Sequence, residues 1–196
     1  MLVTLDQSSD MIQDDMTDFG WKPRDAVQSK ALTILSSALN LVPIEKGYEY
    51  VIAFGHPLLR EQPFTVPRLA DLVRQKAAEV KATRVLVDGL GPLLEVAGNR
   101  FEVRQTIYSF PRELVSRNMT VLLTHELRSG QDAKSNEMPL FVCDTVVKLD
   151  MMYKGGDYIR TMRVLKMRGS GHVMRPIMFK IGSEGIVAFP DARLPD

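Results

Sequence analysis

Three places in the sequence put polar side chains where short apolar runs end. Val85, Leu86 and Val87 close on Asp88; Val121 to Leu123 close on Thr124, His125 and Glu126; Val3 to Leu5 close on Asp6 and Gln7. A carboxylate at the carboxyl end of a short apolar strand can hold Mg²⁺, usually through a water, because Mg²⁺ prefers oxygen ligands and keeps most of its hydration. The same Asp88 could instead cap the helix that follows. His125, taken alone, suits a hydrogen-bonded structural histidine as well as a ligand or base. A fourth constellation is basic. Strand alternation would put Arg160, Met162, Val164, Lys166 and Arg168 on one face, with Lys166 and Arg168 side by side ahead of Gly169, Ser170, Gly171 and His172. Two adjacent cations at a glycine turn favour an anion such as phosphate, or they mark a solvated strand edge.

The elements around these groups alternate. After Val3–Leu5, Ser8, Ser9 and Asp10 can cap a helix carrying Met11, Ile12, Met16 and Phe19 and stopping near Gly20. Ala31–Leu35 is a short strand-like run, and residues 40–65, with Pro43, Gly47, Gly55, Pro57 and Pro63, read as loops and short edge segments. From Pro67, Leu69, Leu72, Val73, Ala77 and Val80 recur on one helical face. Val85–Val87 then suits a strand buried on both faces of a parallel sheet, and Met119–Leu123 repeats that pattern. Between them a helix over Phe101–Arg117 should kink or split at Pro111. Helices alternating with apolar strands predict an α/β domain with a mostly parallel sheet. After Asn136, Val142–Met152 and Tyr158–Met167 form a hairpin across Gly155 and Gly156, expected to extend the central sheet, and Pro176–Ile181 with Gly185–Phe189 form a further strand pair.

Composition bounds the function. The 196 residues are 45% hydrophobic and 25% charged, which suits one globular domain. A formal net charge of +1 favours neither a nucleic-acid nor a membrane partner. Charge is uneven, however: residues 1–20 carry five acids and no base, whereas residues 148–180 carry eight bases against Asp150 and Asp157. That asymmetry could steer a head-to-tail contact between subunits or simply mark two solvated surfaces. Cys143 is the single cysteine, so no intrachain disulfide forms, which suits a reducing cytoplasm; it reads as a small buried hydrophobe. No secretory leader and no membrane span is expected.

The motifs, taken in order, resemble those of the KaiC family. VTLDQSSDMIQDDMTDFGW, from Val3, looks like the stretch that follows the phosphate-binding loop helix. RVLVDGLGPL from Arg84 resembles the family's Walker-B strand, and VLLTHE ending at Glu126 resembles its sensing strand. FVCDTVVKL from Phe141, LKMRGSGH over Leu165–His172 and the closing GIVAFP match later family segments. The resemblance implies a RecA-like domain of hexameric ring-shaped oligomers in the cytoplasm, with ATP and Mg²⁺ bound between subunits and a role in signal transduction. It implies Asp88 for Mg²⁺ through water, Thr124 beside the nucleotide, and Asp6, Gln7 and Glu126 in catalytic positions. Lys166, Arg168 and His172 would serve the neighbouring subunit's nucleotide, stabilising charge on the transferring phosphoryl group.

Three departures from the family pattern bear on activity. The chain lacks any Gly-Lys pair, hence any GxxxxGK[ST], so it is expected to be the N-terminally truncated larger part of one domain spanning 1–196. Gln7 stands where an acid is expected and cannot accept a proton; Asp6 is one methylene short. His125 replaces a small hydroxyl residue. The expected function is therefore a KaiC-like ATP-binding regulatory domain, inactive as this isolated chain. The alternatives are a degenerate RecA-fold interaction module without chemistry and a DNA-recombination accessory, the last opposed by the balanced charge and the lack of an aromatic stacking row.

Overall fold

The computed structural model describes residues 1–45, 47–54, 62–63, 65–96, 100–115, 118–127, 141–183 and 185–192. They group into two compact units, one of Met1–Asp15 with Lys22–Val142 and one of Met16–Trp21 with Cys143–Asp196.

The first unit holds a six-stranded sheet. Strands β1 (Leu2–Thr4), β2 (Ile34–Ile44), β3 (Gly47–Phe54), β4 (Gln62–Pro63), β5 (Arg84–Asp88) and β6 (Thr120–Leu123) lie in the order β4-β3-β2-β1-β5-β6. The segment β2-β1-β5-β6 is parallel, and β2, β3 and β4 pair antiparallel. The expected sheet partners are therefore together. Residues 40–44 and 47–54 form long strands where the turn-rich composition suggested loops and short edge segments: β2 and β3 pair from Ser37↔Phe54 to Ile44↔Gly47, with Pro43 on the strand.

Helices follow local signals. In α1 (Ser9–Asp18), Ser8 Oγ accepts the Met11 N–H at 3.2 Å. The helix ends at Gly20, whose φ of 75° lets the Trp21 N–H return to the Met16 carbonyl at 3.2 Å. A short helix α2 (Pro23–Gln28) that sequence reasoning passed over begins at a proline, which tolerates the first turn because its missing N–H would be idle there. Thr65 caps α3 (Val66–Glu79), accepting the Arg68 N–H at 3.3 Å. After α4 (Gly91–Val96), α5 (Arg100–Leu114) runs unbroken through Pro111. Its flanking Phe110 and Leu114 are buried and outweigh one lost backbone hydrogen bond.

The core is built from β1 (Val3) and Leu5, α3 (Leu69, Ala70, Val73, Ala77), β5 (Val85, Val87), Leu90 and Leu93, and α5 (Phe110, Leu114). Strand β5 sits between β1 and β6 and is buried as expected. Strand β6 is not. Among the described residues it forms the sheet edge, and Leu122 is 62% exposed, so the expectation of a second fully buried strand is corrected.

The second unit is a separate antiparallel sheet in the order β10-β9-β8-β7, from β7 (Thr145–Lys154), β8 (Asp157–Met167), β9 (Ile177–Gly182) and β10 (Gly185–Phe189). The expected hairpin is present, but among the described residues it pairs with β9 rather than extending the first sheet. Gly155 and Gly156, at φ 60° and 83°, make the two-residue turn that matches strand twist.

Candidate functional site

Parallel pairing brings the carboxyl ends of β1, β5 and β6 together. Thr4 is in register with Asp88, and Val87 with Leu123. Buried apolar residues on β1 and β5, with half-buried Val121 and Leu123 of β6 packed against them, fix the register, and the polar residues beyond it emerge side by side at the sheet's rim, where open α/β sheets place their ligands. Backbone hydrogen bonds tie the three ends: Leu5 N–H to the Asp88 carbonyl at 3.1 Å, Thr124 N–H to Val87 at 3.1 Å, and Leu90 N–H back to Thr124 at 2.9 Å.

Two side-chain contacts hold the polar groups. The Thr124 hydroxyl donates to Asp88 Oδ1, both residues being half-buried. This fixes the carboxylate's rotamer and leaves Oδ2 for another donor or a cation's water. At β1, Thr4 is fully buried; its hydroxyl donates to Asp6 Oδ1 at 3.3 Å and accepts the Gln7 N–H at 3.2 Å. Asp6 and Glu126 are exposed, while Gln7 and His125 are half-buried. Gly89 matters as well, since a Cβ there would lie 3.2 Å from Thr124 Oγ1 and crowd the hydroxyl that positions Asp88. Sequence reasoning missed Thr4 and Gly89. The signal for Gly89 was a glycine directly after the acidic end of β5; Thr4 carried none.

For Mg²⁺ the donor set is one positioned carboxylate beside a hydroxyl. This fits an ion that takes few protein oxygens and completes its shell with phosphates and water. It does not fit an all-protein cage: no cluster of three or more His, Cys, Asp or Glu able to hold an ion occurs among the described residues.

Lys166, Arg168 and His172 belong to the second unit. The expectation that Arg160, Met162, Val164, Lys166 and Arg168 share one face is corrected. Val147 pairs with Val164 but Val146 pairs with Lys166, so Leu165 is an extra residue, and Lys166 and Arg168 fall on the other face. Arg168 meets Asp144 at 3.1 Å, so part of its charge is offset within the chain; both side chains are well exposed. His172 Nε2 is buried and finds no hydrogen-bond partner among the described residues. Cys143 is half-buried, and burial pushes its thiol above the ordinary range while the nearby Lys166 pulls the other way. A thiol raised in this way carries less of the reactive thiolate.

The family model for the KaiC ATPase matches residues 1–193. An UPF0273 protein of Methanopyrus kandleri is 24% identical over 97% of this chain and 72% of its own length. The circadian clock oscillator protein KaiC of Parasynechococcus marenigrum is 26% identical over 97% of this chain, which spans 35% of that longer protein. A crystal structure of a KaiC-like protein from Pyrococcus horikoshii superposes with a TM-score of 0.73 at 19% identity, over 96% of this chain and 75% of the other, and so shares its fold.

Proposed function

This chain belongs to the KaiC family of ATPases, and we propose that it is a nucleotide-binding regulatory domain whose phosphate site is assembled with residues beyond those it supplies. The observation that carries this reading is the Thr124–Asp88 hydrogen bond at adjoining parallel strand ends, which engages one carboxylate oxygen and leaves the second for a cation's water. In this reading Asp88 holds Mg²⁺ through water, and Mg²⁺ neutralises charge on the phosphates. Thr124 and Glu126 lie beside the nucleotide, and Asp6 and Gln7 border the attacking side. Lys166, Arg168 and His172 act on the nucleotide of an adjacent subunit in a ring. Among the described residues His172 Nε2 has no hydrogen-bond partner, which supports an anion there.

The 196 residues contain no GxxxxGK[ST] and carry Gln7 where a general base would stand. Each charge-assisted contact that a phosphate-binding loop makes contributes on the order of 1.5 to 3 kcal/mol, so several missing together weaken binding by several powers of ten. The chain on its own therefore neither binds ATP·Mg²⁺ at micromolar concentration nor releases phosphate. Calorimetric titration of the purified chain tests this, and micromolar affinity would overturn the account of what the loop contributes. The same two features favour a second reading, an interaction module that keeps the fold without chemistry. It is distinguished by asking whether added ATP·Mg²⁺ changes assembly at any concentration. A DNA-recombination role ranks third.

A further inference from the structure

Strand β8 carries an inserted residue, and the insertion decides which of its cations share a face. Arg163 pairs with Lys148, Val164 with Val147 and Lys166 with Val146, so Leu165 has no partner of its own. Arg163 and Lys166 are three residues apart, a spacing that in a regular strand sends side chains to opposite faces. With Leu165 bulged out they stand two register steps apart on one face. Arg168, whose N–H bonds to the Asp144 carbonyl at 2.9 Å, follows two steps further on. The row Arg163, Lys166, Arg168 therefore advances by about 7 Å per cation, close enough for these long side chains to meet on one anion.

Charge on this sheet is segregated by the same register. Lys148, Lys154 and Lys180 share the face of that row, against the carboxylates Asp144, Asp150 and Asp157, while the opposite face of β7–β10 carries Arg160 alone. Two of the carboxylates are engaged, Asp150 by Lys148 at 2.6 Å and Asp144 by Arg168 at 3.1 Å. Arg163 is exposed and forms no ion pair among the described residues. It also lies directly opposite Lys148, and like charges so placed are destabilising. An anion lying over Arg163 and its neighbours offsets that cost.

We infer that Arg163 is a third cation of the site that Lys166 and Arg168 begin, and that the three together hold the phosphate chain of the adjacent subunit's nucleotide. The origin of that chain rests on the proposed function; the grouping of the three cations rests on the bulge alone. Spacing in the sequence hides this grouping, because only the inserted Leu165 brings Arg163 to the side of Lys166.

Calorimetric titration of the full chain with inorganic triphosphate, at low salt and without Mg²⁺, tests these cations apart from the rest of the nucleotide site. Binding at millimolar concentration is expected, and Arg163→Gln and Lys166→Gln should each weaken it about fivefold. Arg160→Gln removes the same charge from the opposite face and should leave the affinity within about twofold, which separates a site from net charge. Circular dichroism of each variant confirms that it folds. No binding of triphosphate, or equal losses from Arg163→Gln and Arg160→Gln, would overturn the inference. Dependence on Lys166 without dependence on Arg163 would also overturn it while leaving the proposed function standing. Conversely, micromolar binding of ATP·Mg²⁺ would overturn the account of the missing loop and leave the grouping of the three cations intact. Counted per phosphate, long-chain polyphosphate and single-stranded DNA should bind no more tightly than triphosphate. Tighter binding of either would assign the face to a longer polyanion, against the inference.

Discussion

The rim of the parallel sheet and the face of the antiparallel sheet both carry charged residues, but they hold them differently. At the rim, Asp88 and Asp6 are each fixed by a threonine hydroxyl, and the strands beneath them are among the most buried in the chain. On the antiparallel sheet the charges pair along or across exposed strands, Lys148 with Asp150 and Arg168 with Asp144, with solvent on most sides. Function that depends on geometry needs the first arrangement. Exposed pairs of the second kind contribute little to stability, and approximate placement is enough for them.

Substitutions should separate the two regions by size of effect. The largest is expected at Phe110, wholly buried between α3 and the sheet's core: Phe110→Ala should cost about 3–5 kcal/mol. On β7, where Leu149 is exposed, Leu149→Ala should change stability by no more than about 0.5 kcal/mol. Urea unfolding at low concentration, followed by circular dichroism, measures both, and comparable losses would erase the contrast. Next in size is Thr124→Val, which keeps the side chain's shape and removes the donor to Asp88. It leaves a half-buried carboxylate oxygen unsatisfied and should cost about 1–2 kcal/mol. Asp88→Asn combined with Thr124→Val should lose less than the sum, because the two residues share one contact. Full additivity would mean that the hydrogen bond does not organise the rim.

How much of this was readable in the sequence depended on which periodicity carried the information. The parallel strands announced themselves by unbroken apolar runs, and each ended in polar residues, so Asp6, Asp88 and Thr124 could be placed at one rim from order alone. The antiparallel sheet depends on alternation, which a single inserted residue inverts. Leu165 does this and moves Lys166 and Arg168 to the other face without any sign in residue type. Strand β2 ran past Pro43 because the hydrogen-bonding partner that tolerates a proline is a property of the pair and not of the strand. Thr4 was invisible for a different reason. Its role is to hold the turn behind Asp6, and nothing in a lone threonine distinguishes that from ordinary strand propensity.

The smallest expected effect lies in the exposed sheet and concerns Asp150. The Lys148 ammonium hydrogen-bonded to it holds its carboxyl below the ordinary aspartate range, helped by the Met151 N–H and the charge of Arg163 and opposed by slight burial. A carboxyl whose value is lower in the folded chain binds fewer protons there than in the unfolded chain. Its stabilising contribution is therefore complete above the unfolded value, about 3.9, and is lost as pH falls through the folded value. Because the group is largely in water, screening reduces the effect to the edge of detection. Thermal melts of the wild-type chain and Asp150→Asn should differ slightly at pH 6 in favour of wild type. They should converge as the pH falls below 3, and raising the salt at pH 6 should shrink the same gap. A difference that persisted at low pH or ignored salt would mean that Asp150 acts through its hydrogen bond to the Met151 N–H alone. The charge of Lys148 would then add nothing to the stability of the chain that carries it.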